Sequence, residues 1–295
     1  MKDITIGGQA VIEGVMMKSK EGWAVAVRNP EGEIVIKSEK LKKPSMLAKI
    51  PLVRGFFILI ETLWLGMKAI DFSSKIVFKE EKSSPWSLAL SLFLASVIGV
   101  ILFILLPLYL TKLSGYFISM ISTNSFVFNL IDGILRVFVF IGYVLVISML
   151  SMMRRIFAYH GAEHKVINAY EAGETLTAEN VEKYSRLHVR CGTSFIFIVL
   201  VISILVFSMI PSSWSFVLKA LSRVILLPLI AGVSYEILKI SARWRNNIVG
   251  RVITFPGLIF QKITTREPDI EQIEVACQSL KAVLNLSEKE VKANA

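Results

Sequence analysis

The sequence predicts an α-helical integral membrane protein with about four transmembrane helices, additional interfacial helices and a small N-terminal β-containing cytoplasmic region. Three observations predict it. Of 295 residues, 54% are hydrophobic and 19% charged, with a mean hydropathy of +0.62, which excludes an ordinary soluble globule. Residues 86–110 and 192–218 run 25 and 27 positions without a charge, longer than the ~20 apolar residues that cross a bilayer core. Finally, 29 of the 33 lysines and arginines lie before the first of these runs, in 154–190, or from Lys239 onward. Cations collect on the cytoplasmic side of membrane proteins, so both termini and the 154–191 loop are expected there. The net charge of +10 follows from topology before it argues for nucleic acid.

Taken in order, residues 1–83 form the cytoplasmic β region and an interfacial helix. No short apolar core with a small-residue cleavage site opens the chain, so this segment is expected to be retained. The glycines of 7–17 (GGQAVIEGVMM) bracket a short apolar run with one acid, Glu13, which fits an edge strand or a backbone loop that contacts a ligand. Residues 22–41 alternate apolar and polar positions around Asn29-Pro30-Glu31-Gly32, a hairpin with turn chemistry at its centre. The apolar segment 51–70 is interrupted by Arg54, Glu61 and Lys68, which, like 247–263 with Arg251 and Lys262, suits an interfacial or re-entrant helix.

Residues 84–157 carry spans one and two, the second (126–153) interrupted by Asp132 and Arg136, whose i, i+4 spacing lets them pair. Residues 158–191 form a cytoplasmic loop, and 192–242 carry spans three and four. The fourth (218–240) has Lys219, Arg223, Glu236 and Lys239 near its ends. Residues 243–295 hold an interfacial helix over 247–263 and a charged tail, read as a solvated helix ending in disorder. Cys191 and Cys277 then face a reducing compartment, which disfavours a disulfide.

All three histidines, His160, His164 and His188, fall in one 29-residue window, with Cys191 three positions after the last. The string His160-Gly161-Ala162-Glu163-His164 on a helix puts two imidazoles one turn apart on one face with a carboxylate beside them. That arrangement holds a metal ion while the acid handles a water proton, as in the inverted zincins. His188 and Cys191 supply further ligands, and imidazole plus thiolate selects zinc over magnesium or calcium, though other divalent transition metals fit as well. Both pairs sit where spans meet the cytoplasmic surface. Span four brings Glu236 back to that surface, where an acid inside a span is expensive and marks a polar interior. It is expected beside the cluster as a ligand, a histidine-orienting partner or a base, or else paired with Lys239 or snorkelling to the headgroups.

The strings GGQAVIEGVMM (7–17), YHGAEHKVINAYE (159–171) and RLHVRCGTSF (186–195) resemble the YqhQ-like family of bacterial membrane proteins, and the likeness covers nearly the whole chain. It implies a bacterial inner-membrane protein of a class described as metal-dependent, without an established substrate or active site. Two functions are expected to compete. The first is a membrane-embedded, zinc-dependent hydrolase acting at the cytoplasmic surface on a lipid headgroup or a membrane-protein segment. In it His160, His164 and His188 or Cys191 hold the metal, Glu163 is the base, and Arg190 stabilises developing negative charge. The second is a metal-stapled scaffold docking another membrane protein, anionic lipid, or a ribosome during membrane-protein biogenesis, the one route to a nucleic-acid partner. A transporter is disfavoured, because four spans with few buried charges offer little pathway.

Overall fold

In the computed structural model, residues 6–41, 50–79, 85–243 and 247–293 are described. Four strands open the chain: β1 (Gly7–Val11), β2 (Gly14–Lys18), β3 (Gly22–Arg28) and β4 (Ile34–Lys40), an antiparallel sheet in sequence order. The β3–β4 hairpin is the expected one, with Gly32 at φ 90°, a left-handed conformation that glycine adopts without a steric penalty. The expected half-buried alternation is not what β3 shows. Trp23, Val25 and Val27 pack beneath helix α1 (Val53–Phe78) through Leu65 and Ala69, while Ala24 and Ala26 face the opposite side with Val15 and Met17. Both faces are covered, so an unbroken apolar run replaces polar alternation.

The second face of the sheet rests on α6 (Ser151–Glu171) and α12 (Ile270–Ala293). This corrects the reading of the tail. Ile273, Ala276, Cys277, Leu280 and Val283 of α12 are buried in the core formed with Tyr159, Ala162 and Val166 of α6. The apolar stripe at roughly helical spacing is the cause, and the charged residues between were the more conspicuous signal. The expected disordered end lies outside the described residues. Cys277 is a packing residue whose thiol is pushed up to about 11, mainly by burial.

The apolar half of the molecule begins with α2 (Pro85–Val100), which continues through a π-helical turn at Ile101–Leu105 into α3 (Leu106–Phe117). The short α4 (Ser119–Thr123) leads to α5 (Ser125–Ile147), capped by Asn124, whose side chain accepts from the Phe126 and Val127 backbone N–H groups. Ala89–Phe117 and Ser125–Ile147 are long and apolar enough to cross a membrane. The uncharged run from 192 gives a helix of only 17 residues, α8 (Gly192–Ser208), because the chain turns at Pro211, whose carbonyl accepts from Trp214 N at 3.2 Å. Helices α9 (Phe216–Ile225) and α10 (Leu227–Arg243) pass the same test only as a pair, bent by 45° at the break. Pro228, which lacks an N–H, sits at the start of α10. Among the described residues, two helices are therefore long and apolar enough to cross a membrane, or three if the bent pair is one span.

Exposure supports a membrane setting for these helices. On α9, Val217, Leu218, Leu221, Val224 and Ile225 point outward while Lys219 and Arg223 are buried, the reverse of an amphipathic helix in water. Asp132 and Arg136 pair at 2.6 Å inside the bundle as their spacing implied. Of the two helices expected at the interface, α1 extends beyond the expected 51–70, and α11 (Ile248–Thr264) matches 247–263 within a residue. Short α7 (Ala178–Glu182) completes the link between α6 and α8.

Candidate metal centre

The HxxEH string lies on α6, as its spacing requires, and Cys191 caps the N-terminus of α8. One ring nitrogen of His160, one of His164 and the Cys191 sulfur all lie within 4.8 Å of one another, with His160 Nε2 at 3.2 Å from Sγ. Tetrahedral zinc with N and S ligands separates its donor atoms by roughly 3.3–3.6 Å, so a small contraction completes the set.

The tautomers follow from what the other ring nitrogens touch. His160 Nδ1 donates to the Thr264 carbonyl at 2.8 Å, and His164 Nδ1 donates to the Arg186 carbonyl at 2.6 Å. Carbonyl oxygens only accept, so each neutral imidazole carries its proton on Nδ1 and presents a bare Nε2. A backbone carbonyl fixing the remote nitrogen is the usual support for a metal-bound histidine. Thr264 is the last residue of α11, where a helical carbonyl lacks an intrahelical partner. His164 is 1% exposed and its Nε2 has no hydrogen-bond partner among the described residues. Burial first of all lowers its proton affinity below the ordinary imidazole range, which keeps the lone pair available. An orphaned buried acceptor of this kind is costly. On the third ligand, the Thr193 backbone N–H and hydroxyl both donate to Sγ, at 3.4 and 3.2 Å, contacts that suit a metal-bound thiolate. These three residues fit a soft divalent metal such as zinc.

The rest of the expected set is dispersed. His188 is close, its ring centre 5.8 Å from that of His164, but its Nε2 turns to Glu171 at 3.3 Å. Arg190 pairs with the same Glu171, so the cation assigned to developing charge is engaged by a carboxylate that the sequence reading had not singled out. Glu163 is buried beneath β1 and receives the Gly8 backbone N–H. Burial raises its proton affinity, opposed by the electrostatic influence of His160 and His188. Glu236 is a correction. Its carboxylate accepts from both arms of the Arg54 guanidinium and, at 3.3 Å, from Leu52 N. It brackets α10 to the start of α1 and does not join the ligand group; Arg54, not Lys239, is the partner.

Several residues that build the centre were missed. A Cβ on Gly8 would stand 2.7 Å from the Met16 carbonyl and 2.9 Å from the Glu163 side chain, so the glycine is what allows β1 to close over the acid. Gly161 likewise admits the Arg266 carbonyl against α6. Gln261, fully buried, accepts from His188 N and donates to His188 O, both at 2.9 Å, and clamps that loop onto α11. Asn168 donates to the Ser185 and Leu187 carbonyls at 2.8 and 3.1 Å, holding the segment that offers Arg186 O. Glu13 of the same N-terminal string is a latch: Arg155 binds both its oxygens at 2.5 Å and the Tyr159 hydroxyl donates at 3.2 Å.

The chain is 36% identical over 303 residues to "Uncharacterized protein YqhQ" of Bacillus subtilis (strain 168), spanning 95% of this chain and 92% of that protein. No solved structure matches. A family model described as "Protein of unknown function (DUF1385)" matches residues 50–286, a range that holds all the candidate ligands. The chain belongs to that family.

Proposed function

We propose that the protein is a multi-pass bacterial inner-membrane hydrolase that uses a divalent metal, preferably zinc, at the cytoplasmic membrane surface. In this reading α8 counts as a third span and the bent α9–α10 pair as a fourth, and both termini are cytoplasmic. The distribution of lysine and arginine supports that sidedness. The observation that carries the reading is the donor set itself: three convergent ligands, His160, His164 and Cys191, with His188 turned aside. Three protein ligands leave a position open for substrate or water, which is the mark of a catalytic site, whereas four close it.

The metal would supply Lewis acidity at that open position. Glu163, one residue before a ligand, is the proton acceptor, and burial makes it a stronger base than an exposed carboxylate. The Gly8 N–H orients it. Arg190 is released to a substrate only if Glu171 yields it, and Glu171 then keeps His188 in place. The substrate class is a lipid headgroup or a membrane-protein segment, since the centre lies directly where α8 enters the apolar bundle. The test is elemental analysis of purified protein together with hydrolysis of a lipid-ester panel. Glu163→Gln should keep the metal and abolish turnover. Loss of metal from Glu163→Gln as complete as from His164→Ala would make this acid a ligand and end the mechanism.

A second reading, a metal-stapled scaffold that docks a membrane protein, anionic lipid or a ribosome, is favoured by one observation: Cys191 and His164 are 8% and 1% exposed, as in structural sites. Its signature is a metal whose removal melts the protein while Glu163→Gln changes nothing.

A further inference from the structure

The end of the bundle away from the histidines holds a second polar feature. α8 starts beside Cys191 and runs away from it, and at its far end Ser212 N donates to Ser125 Oγ at 2.8 Å, joining the 211–214 turn to the start of α5. A cleft of about 270 Å³ opens there among α3, this turn and α9. The fold brings Lys112 of α3 and Lys219 of α9 to the walls of this cleft. The two cations are 107 positions apart in sequence, and it is the packing of the helices that makes them converge.

Their surroundings leave positive charge uncompensated. The Lys219 ammonium donates to the Ser212 carbonyl at 2.6 Å and lies 4.0 Å over the Phe128 ring, partners that bind a cation without neutralising it. One turn further along α9, the fully buried Arg223 reaches Asp132 at 3.0 Å, the carboxylate that already pairs with Arg136. Two guanidinium groups thus share one acid in the interior, with the Lys219 ammonium one turn away on the same helix. Arg223 Nε and Nη1 are buried without hydrogen-bond partners among the described residues. Uncompensated cations in a low-dielectric interior are expensive, and Lys219 is the member that reaches the cleft. Ser122 and Ser215 line the same space; the Ser122 hydroxyl donates to the Ser119 carbonyl at 2.8 Å, while that of Ser215 accepts from Leu218 N and keeps its proton to give. Trp214 forms part of the wall, a residue type suited to headgroup depth.

We propose that this cleft binds a phosphate-bearing anion between the ammonium groups of Lys112 and Lys219, with the Ser215 hydroxyl as a further donor. A phosphate presents enough oxygens for two point-charge donors and a hydroxyl together, and lysine is a common partner for it. The anion offsets the charge excess behind Lys219. The site is separate from the metal centre and stands whether or not that centre is catalytic.

The experiment uses the full chain in a phosphate-free maltoside detergent and reads tryptophan emission during titration with dihexanoyl phosphatidic acid, inorganic phosphate or dihexanoylglycerol. Phosphatidic acid should give a saturable shift that vanishes in Trp214→Phe, and Lys112→Gln should weaken binding about tenfold or more, as expected for a lost charge-assisted hydrogen bond. Lys112 is exposed, so this variant spares the fold. Saturation by inorganic phosphate as well identifies a free anion as a source, and saturation by the lipid alone identifies a headgroup. The proposal is overturned by no saturable response to either anion, by an equal response to dihexanoylglycerol, by a shift that persists in Trp214→Phe, or by unchanged affinity in Lys112→Gln.

Discussion

Two polar clusters buried among the described residues differ in what they leave unsatisfied. Around Asp132 the surplus is of donors: Arg136 and Arg223 share one carboxylate, Arg136 also reaches Ser203 at 2.9 Å, and both guanidinium groups lie over Phe207, 4.8 and 5.4 Å from its centre. Around His164 the surplus is of acceptors, two bare imidazole nitrogens and a sulfur facing one another. Fixed cations that already meet an acid and a ring bind helices together. The histidine nitrogens converge with the sulfur, and His164 Nε2 meets no hydrogen-bond partner among the described residues, so on the reading proposed above the second cluster is the one that takes a metal.

The largest effect should come from breaking the first cluster. Asp132→Ala removes the one carboxylate and leaves two arginines unpaired in the bundle, a loss of about 3–5 kcal/mol that thermal unfolding in detergent would show as a large drop in midpoint or no folded protein. Restoring polarity without charge, Asp132→Asn, should recover only part of it. If either variant unfolds like the parent, the cluster does not brace the helices and the contrast drawn above collapses.

In the second cluster, His164→Ala and Cys191→Ser should each lower metal affinity by about 100-fold or more, since an incomplete donor set loses most of its hold. His188→Ala should cost less, roughly 10-fold, because His188 acts beside the ligands and not among them. Metal content measured against a competing chelator separates the two. A His188→Ala loss equal to that of His164→Ala would make His188 a fourth ligand, close the open position and turn the centre structural.

How much of this contrast was readable in advance depended on where the information lay. The α6 string was legible because a helix keeps i and i+4 on one face whatever surrounds it, and the Asp132–Arg136 pair was legible for the same reason. The partners that set the histidine tautomers are carbonyls of Thr264 and Arg186, and a backbone oxygen leaves no mark in a sequence. Arg223 looked like a span-end charge; only the packing of α9 against α5 shows it shares Asp132. The covered second face of the sheet was hidden because α12 contributes its apolar stripe from a segment whose charges dominate its composition.

A moderate effect is expected from Gly8→Val, which tests whether the sheet shapes the metal centre. The added Cβ meets the Glu163 side chain and the Met16 carbonyl, and backbone does not yield easily, so overpacking should cost about 1–3 kcal/mol. Because β1 must lift, Glu163 loses the Gly8 N–H, and any turnover should fall more than stability does. Metal content should be retained, since none of the three ligands touches β1 in a way that fixes its ring or thiol. Loss of metal from Gly8→Val would mean that the sheet, and not α11, positions the donors.

The smallest effect is predicted at Glu236, and it discriminates between position in sequence and position in space. Sidedness alone returns this acid to the surface that carries the histidines, but its oxygens are taken by Arg54 and Leu52 N. The pair is partly exposed, with side chains at 21% and 19%, and such pairs contribute on the order of 0–1 kcal/mol once solvent screening is allowed for. Glu236→Gln should therefore leave metal affinity within about twofold, against the 10- to 100-fold expected if it oriented a ligand histidine. Arg54→Gln should give the same small change in stability, and the double variant no more than either alone, because both break one contact. A tenfold fall in metal affinity in Glu236→Gln would put the acid back in the centre, and with it a route by which the α1–α10 bracket controls the metal.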